Sequence, residues 1–180
     1  MNTPNKQYLV VSALGQDCPG IVSQLTQPVT ELGANILDSR MSILGGEFAI
    51  QMMVEGSWDA IAKLESQLPA VAERLELTLL CKRTSEQTQL GSTLPYAVNV
   101  IALDHPGIVS QLAEFFSNRH INIQDLHTDC YRAAHTGTAM FSASLTVNIP
   151  AEQSIARLRE EFLDLCDSLN LDGLLEPSKG

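Results

Sequence analysis

Positive charge is what this sequence has least of. Eleven Lys and Arg stand against 21 Asp and Glu, a formal net charge of −10. The acidity is spread over both halves and no stretch clusters Lys or Arg, so a phosphate backbone meets repulsion. Contact with nucleic acid is not expected. Long apolar runs are missing too. Tyr8–Leu14 is apolar but far short of the roughly 20 residues of a membrane-spanning helix, and charged turn residues follow it. No membrane segment or secretion signal is expected. Cysteine is sparse: Cys18, Cys81, Cys130 and Cys166 show no CxxC spacing, which fits free thiols and a cytoplasmic location.

Apolar residues, at 44%, are plentiful, and 180 residues suffice for one large domain or two small ones. A repeat decides between them. Asp17-Cys-Pro-Gly-Ile-Val-Ser-Gln-Leu25 returns as Asp104-His-Pro-Gly-Ile-Val-Ser-Gln-Leu112, an offset of 87 with 7 consecutive identities from the proline onward. The same offset pairs Asn35-Ile36 with Asn122-Ile123, and Asp38 with Asp125. The chain is therefore two homologous halves, read as 1–84 and 95–180 around a polar linker at 85–94.

Each half gives the same series. An apolar strand (Tyr8–Leu14 or Tyr96–Leu103) meets the Asp-x-Pro-Gly turn, whose proline suits the first position of a helix. Asp17 or Asp104 lies near enough to complement that helix's free N–H groups. The first helix gathers Ile21, Leu25, Val29 and Leu32 on one face, or Ile108, Leu112, Phe115 and Phe116. Pro28 should kink the first copy, and Gly33 or His120 stands just beyond the helix end. Strands starting at Asn35 and Asn122 lead to hairpins returning through Glu47–Val54 and Thr138–Val147, the second hairpin longer by 4 residues. A second helix carries Ile61, Leu64, Leu68, Val71 and Leu75, or Ile155, Leu158, Phe162, Leu165 and Leu169. Closing strands follow at Glu76–Thr84 and Leu171–Glu176, the latter weakened by Gly173. The order β-α-β-β-α-β, twice, predicts an α+β chain of two ferredoxin-like units. Each would be a four-stranded antiparallel sheet with two helices on one face.

An apolar strand, then Asp-x-Pro-Gly-Ile, then Asn-Ile opening a second strand, resembles the ACT domain. The resemblance implies a regulatory unit that binds amino acids, contacted by the loop after the first strand and the Asn opening the second. On these residues the contacts fall at Asp17, Gly20, Ile21, Asn35 and Asp38, and at Asp104, Gly107, Ile108, Asn122 and Asp125. The chemistry agrees: helix-start N–H groups hold a carboxylate, glycine admits close approach, Asn donates and accepts, and Asp faces an ammonium. Ordinary turn and helix-start chemistry would use the same residues.

Paired ACT units with no catalytic domain further resemble regulators of transcription that sense glycine and act through a DNA-binding activator. Serine would suit the same turns. The alternative is a separate regulatory subunit acting on an enzyme of amino-acid or one-carbon metabolism. Assembly of copies through sheets or helices is open. No catalytic set or cofactor is implied.

Other residues are read as structural. Cys18 and His105 share one repeat position and have no partner base at a meaningful spacing. His127, Cys130 and His135, with Asp129, match no closed tetrahedral metal spacing. The long hairpin that holds them is read as a flexible polar loop suited to partner contact. Trp58 and the methionines Met41, Met52 and Met53 are expected to pack. Glu160, Glu161, Asp164 and Asp167 form a solvated helix face able to steer a basic partner.

Overall fold

A computed structural model describes residues 6–85 and 92–178. The chain divides into two compact units, Met1–Thr88 and Gln89–Gly180. The first contains β1 (Gln7–Gln16), α1 (Ile21–Glu31), β2 (Asn35–Leu44), β3 (Glu47–Gly56), α2 (Trp58–Arg74) and β4 (Thr78–Thr84). The second contains β5 (Thr93–Leu103), α3 (Ile108–Ser117), β6 (Asn122–Arg132), β7 (Ala139–Pro150), α4 (Ile155–Leu169) and β8 (Asp172–Pro177). The sheets have strand orders β2-β3-β1-β4 and β6-β7-β5-β8, and all their pairs are antiparallel. These are the two ferredoxin-like units that the repeat implies.

The period-two pattern has one cause, a sheet covered on one face only. Leu9, Val11 and Ala13 of β1 share a core with Phe48, Ile50, Met52 and Val54 of β3, beneath Ile21, Leu25, Ile61, Leu64 and Leu68 of the helices. The second core repeats this with Val98, Val100, Phe141, Ala143, Leu145 and Val147 beneath Ile108, Leu112, Leu158 and Phe162. Each fully buried Leu, Ile or Phe contributes about 1.5–3 kcal/mol. The intervening strand residues, such as Val10 with Met53 and Asn99 with Ser144, form an open face on the other side. Phe115 and Phe162 meet at 5.8 Å between ring centroids. Arg119 lies 3.8 Å over the Phe115 ring and pairs with Glu161, whose carboxyl Arg157 and Arg119 together hold below its ordinary range.

Ser57 and Ser154 cap α2 and α4, accepting from the N–H groups of Ala60 and Arg157. A two-residue turn at Gly45-Gly46, both with positive φ, joins β2 to β3. The second hairpin turns through residues 133–138 and is longer by six residues, not the four expected, because Asn35 is opposite Glu55 whereas Asn122 is opposite Asn148, so each strand gains a residue as well.

Several expectations need correction. The proline of each Asp-x-Pro-Gly turn is not in the helix. Gly20 and Gly107, with φ of 93° and 97°, are the N-cap residues, so Pro19 and Pro106 precede the caps. Residues 86–91 of the expected linker lie outside the described residues, and β5 already starts at Thr93. Pro95 is tolerated there because the ladder to β8 begins only at Tyr96, and its carbonyl accepts from Ser178 N–H at 3.0 Å. β4 starts at Thr78 because Glu76 is held at φ 54°. α1 continues through Pro28 to Glu31 and stops short of Leu32. Trp58 is not packed away: it is 63% exposed, with the Arg83 guanidinium 6.0 Å from its ring. Met52 is buried, whereas Met41 is exposed.

Candidate functional site

Each repeated loop is built at the end of a central strand. β1 ends at Gln16, and Asp17 N–H donates to the Gly46 carbonyl at 3.2 Å, fastening the loop to the hairpin turn. In the second unit Asp104 N–H donates to the Ala139 carbonyl at 3.0 Å. Gly20 and Gly107 then turn the chain into α1 and α3 from left-handed backbone, a conformation costly for any side chain. No side chain caps either helix, and Asp17 and Asp104 do not perform that role. The first-turn N–H groups of α1 and α3 are thus left to solvent or an anion. The Gln24 and Gln111 amides lie over the two glycines, 3.7 and 3.4 Å from where a Cβ would stand. These two glutamines were not singled out in the sequence, although their helical spacing from glycine brings them there.

Ile21 and Ile108 are each 2% exposed, with side chains in the cores. They can offer a ligand backbone only.

Asn35 and Asn122 open the edge strands β2 and β6 and are exposed. They lie far from the loops of their own units. Asn35 is opposite Glu55 while the loop end of β1 is opposite Glu47, a separation on the order of 25 Å along the strand. Asn122, opposite Asn148, is as far from Leu103, opposite Met140. The residues grouped by sequence therefore form two sets at opposite ends of each unit, and one glycine-sized molecule cannot touch both.

Asp38 and Asp125 belong with the asparagines. A β-bulge falls at the same repeat position in each edge strand, between Ile36 and Asp38 and between Ile123 and Asp125. The extra residue turns each aspartate onto the open face shared by its asparagine. Asp38 there lines a hollow of about 200 Å³ with Val10, Ser39, Arg40, Gln51 and Met53.

The second loop has a feature the first lacks. The Cys130 thiol stands beside the Asp104 carboxylate. Desolvation and the charges of Asp104 and Asp129 push the thiol up from its ordinary value. His127 and Asp129 face the open side of β6, Cys130 the other, and His135 lies in the turn. Strand alternation separates them, and the described residues hold no cluster of three metal-binding side chains. His127–Cys130 stand in a paired strand, not in a flexible loop.

Two such units, each opening a helix from a glycine-capped loop, define a tandem ACT-domain protein, and residues 7–82 match the ACT domain family. The chain is 35% identical over 173 residues to the glycine cleavage system transcriptional repressor of Escherichia coli strain K12. That alignment covers 96% of this chain and 91% of the relative. The chain belongs to this family of tandem ACT-domain regulators. A crystal structure provisionally assigned as a glycine cleavage system transcriptional repressor is 30% identical, with a TM-score of 0.74 over 98% of this chain and 99% of its own. A structure of unknown function from Galdieria sulphuraria reaches a TM-score of 0.78 at 26% identity, over 97% and 100%.

Proposed function

We propose that this chain represses glycine cleavage genes without touching DNA, by binding a DNA-binding activator under the control of a small amino acid. The observation that carries the reading is the repressor likeness through both units, over 96% of the chain. The charge of −10 favours a protein partner over a nucleic-acid one. Glycine is the effector on this reading, with serine the nearest competitor. The loop amides at Gly20-Ile21 and Gly107-Ile108 take its carboxylate, or the Asn35/Asp38 and Asn122/Asp125 ends take its ammonium. The protein works in the cytoplasm and is not an enzyme. Control requires the amino acid to bind the free and partner-bound forms unequally, typically by about 1–3 kcal/mol.

Calorimetric titration of the full chain with glycine, serine and leucine tests the effector. Saturable heat with glycine is expected, lost in Gly20→Ala with Gly107→Ala if the loops bind, or in Asn35→Ala with Asn122→Ala if the strand ends do. Heat surviving both pairs overturns the site assignment. Tight, salt-sensitive binding of a glycine cleavage promoter by the chain alone overturns the indirect mechanism.

A further inference from the structure

Strand register lets the open faces of the two units be compared position by position. Lys82 and Glu176 occupy the same place on the last strand, opposite Val10 and Ala97. Thr78 and Asp172 likewise stand opposite Leu14 and Ile101. On β2 and β6 the repeat offset of 87 sets Ser42 against Asp129 and Arg40 against His127. All four exchanges move the second face toward negative charge. The first face is balanced, with Asp38, Glu47 and Glu55 against Lys6, Arg40 and Lys82. The second bears Asp125 and Asp129 at one edge and Asp172 and Glu176 at the other, and among the described residues it has no Lys or Arg. Between those edges Ile101, Leu103 and Leu174 are 45%, 60% and 52% exposed. The core uses only the helix side of each strand, so the fold itself has no use for these carboxylates.

We propose that the open face of the second unit docks a protein surface of the opposite design, an apolar patch rimmed by Lys and Arg. Carboxylate edges steer such a surface in and reject acidic ones, while the exposed Ile and Leu supply the contact. Resting on the function proposed above, the partner is the activator, which must carry cations to hold DNA phosphates. The acidic side of α4 fits it less well, because Arg157 and Arg159 interleave with its acids and Arg157 already pairs with Glu161. Four strands about 4.8 Å apart and some 25 Å long give the sheet face roughly 500 Å². A partner covering it buries about 1,000 Å² in all, the size of a contact that a regulator can release.

The test gives the second face the residues of the first, Asp129→Ser, Asp172→Thr and Glu176→Lys, in the full chain. A control, Glu160→Lys with Asp164→Lys, removes the same charge from α4, and circular dichroism confirms that each variant folds. Two probes are titrated at physiological salt: a labelled amphipathic peptide of leucine and lysine, and the activator purified on glycine cleavage promoter DNA. Both should bind the wild type, at least ~10-fold more weakly the exchanged chain, and within about twofold of wild type the α4 control. The milder pair Asp129→Asn with Asp172→Asn should weaken binding in the same direction. If the peptide obeys this pattern and the activator does not bind the wild type at all, indirect repression fails and the face stands as a dock for another cationic protein. A peptide bound no better than its leucine and glutamate counterpart overturns the proposal. So does binding of either probe that is indifferent to the exchange, or that falls equally in the α4 control.

Discussion

The thiol of Cys130 stands beside the carboxylate of Asp104, bringing the long hairpin of the second unit next to its helix-opening loop. The first unit has Ile43 at the matching position of its hairpin, opposite Phe48 as Cys130 is opposite Phe141, and so has no thiol beside its loop aspartate.

Alkylation of Cys130 should be slow at neutral pH and accelerate only as pH climbs past the ordinary thiol range. Desolvation first, and then the neighbouring carboxylates of Asp104 and Asp129, disfavour the thiolate that reacts. Asp104→Asn should move the rate profile to lower pH. Iodoacetamide labelling followed by peptide mass spectrometry reads this out, and an unmoved profile would show that Asp104 does not govern the thiol.

Gly20→Ala and Gly107→Ala should each destabilise their unit by about 1–2 kcal/mol, the cost of left-handed backbone in a residue with a Cβ. The nearest atom to the new Cβ at Gly20 is 3.7 Å away, so the penalty there is conformational and not steric. Urea unfolding measures it. A loss below a few tenths of a kcal/mol would mean that the loop relaxes out of this conformation.

Gly173 presents the opposite case. A Cβ there runs into Sγ of Cys166 and comes within 3.0 Å of the Phe162 ring. Gly173→Ala should cost about 1–3 kcal/mol through overpacking. Adding Cys166→Ala removes one obstacle, so the double variant should lose less than the two single losses combined. Strict additivity in denaturant melts would rule out the steric cause.

Burial pushes the Cys166 thiol up to about 11, with Asp167 and Asp172 adding to it. A raised folded-state value favours the protonated fold, so the stabilisation is complete below the unfolded thiol's value near 9.0 and is lost as pH rises toward 11. Thermal melts from pH 8 to 11 should fall more steeply for wild type than for Cys166→Ala, by up to about 2–3 kcal/mol. Parallel curves would mean that the thiol does not titrate within the fold.

The architecture was legible because duplication writes each signal twice. The Pro19–Leu25 and Pro106–Leu112 identities, the alternation around Phe48 and Phe141, and the longer second hairpin all have direct counterparts in the structure. The site was less legible, for physical reasons. Proline favours the first helical position, but the left-handed Gly20 after it excludes Pro19 from the helix. Asn35 follows Asp17 closely in sequence, yet α1 carries the chain from one end of the sheet to the other. A one-residue bulge, unmarked in composition, decides which way Asp38 faces. The Cys130–Asp104 contact joins residues 26 positions apart and depends on hairpin register.

The strand's length between the glycine-capped loop and the asparagine leaves each half with two chemically distinct poles. Substitutions can silence one pole while the other, and the hydrophobic interior between them, stays intact. Twin copies of one ancestral unit are thereby free to specialise, one end at a time, without either ceasing to fold.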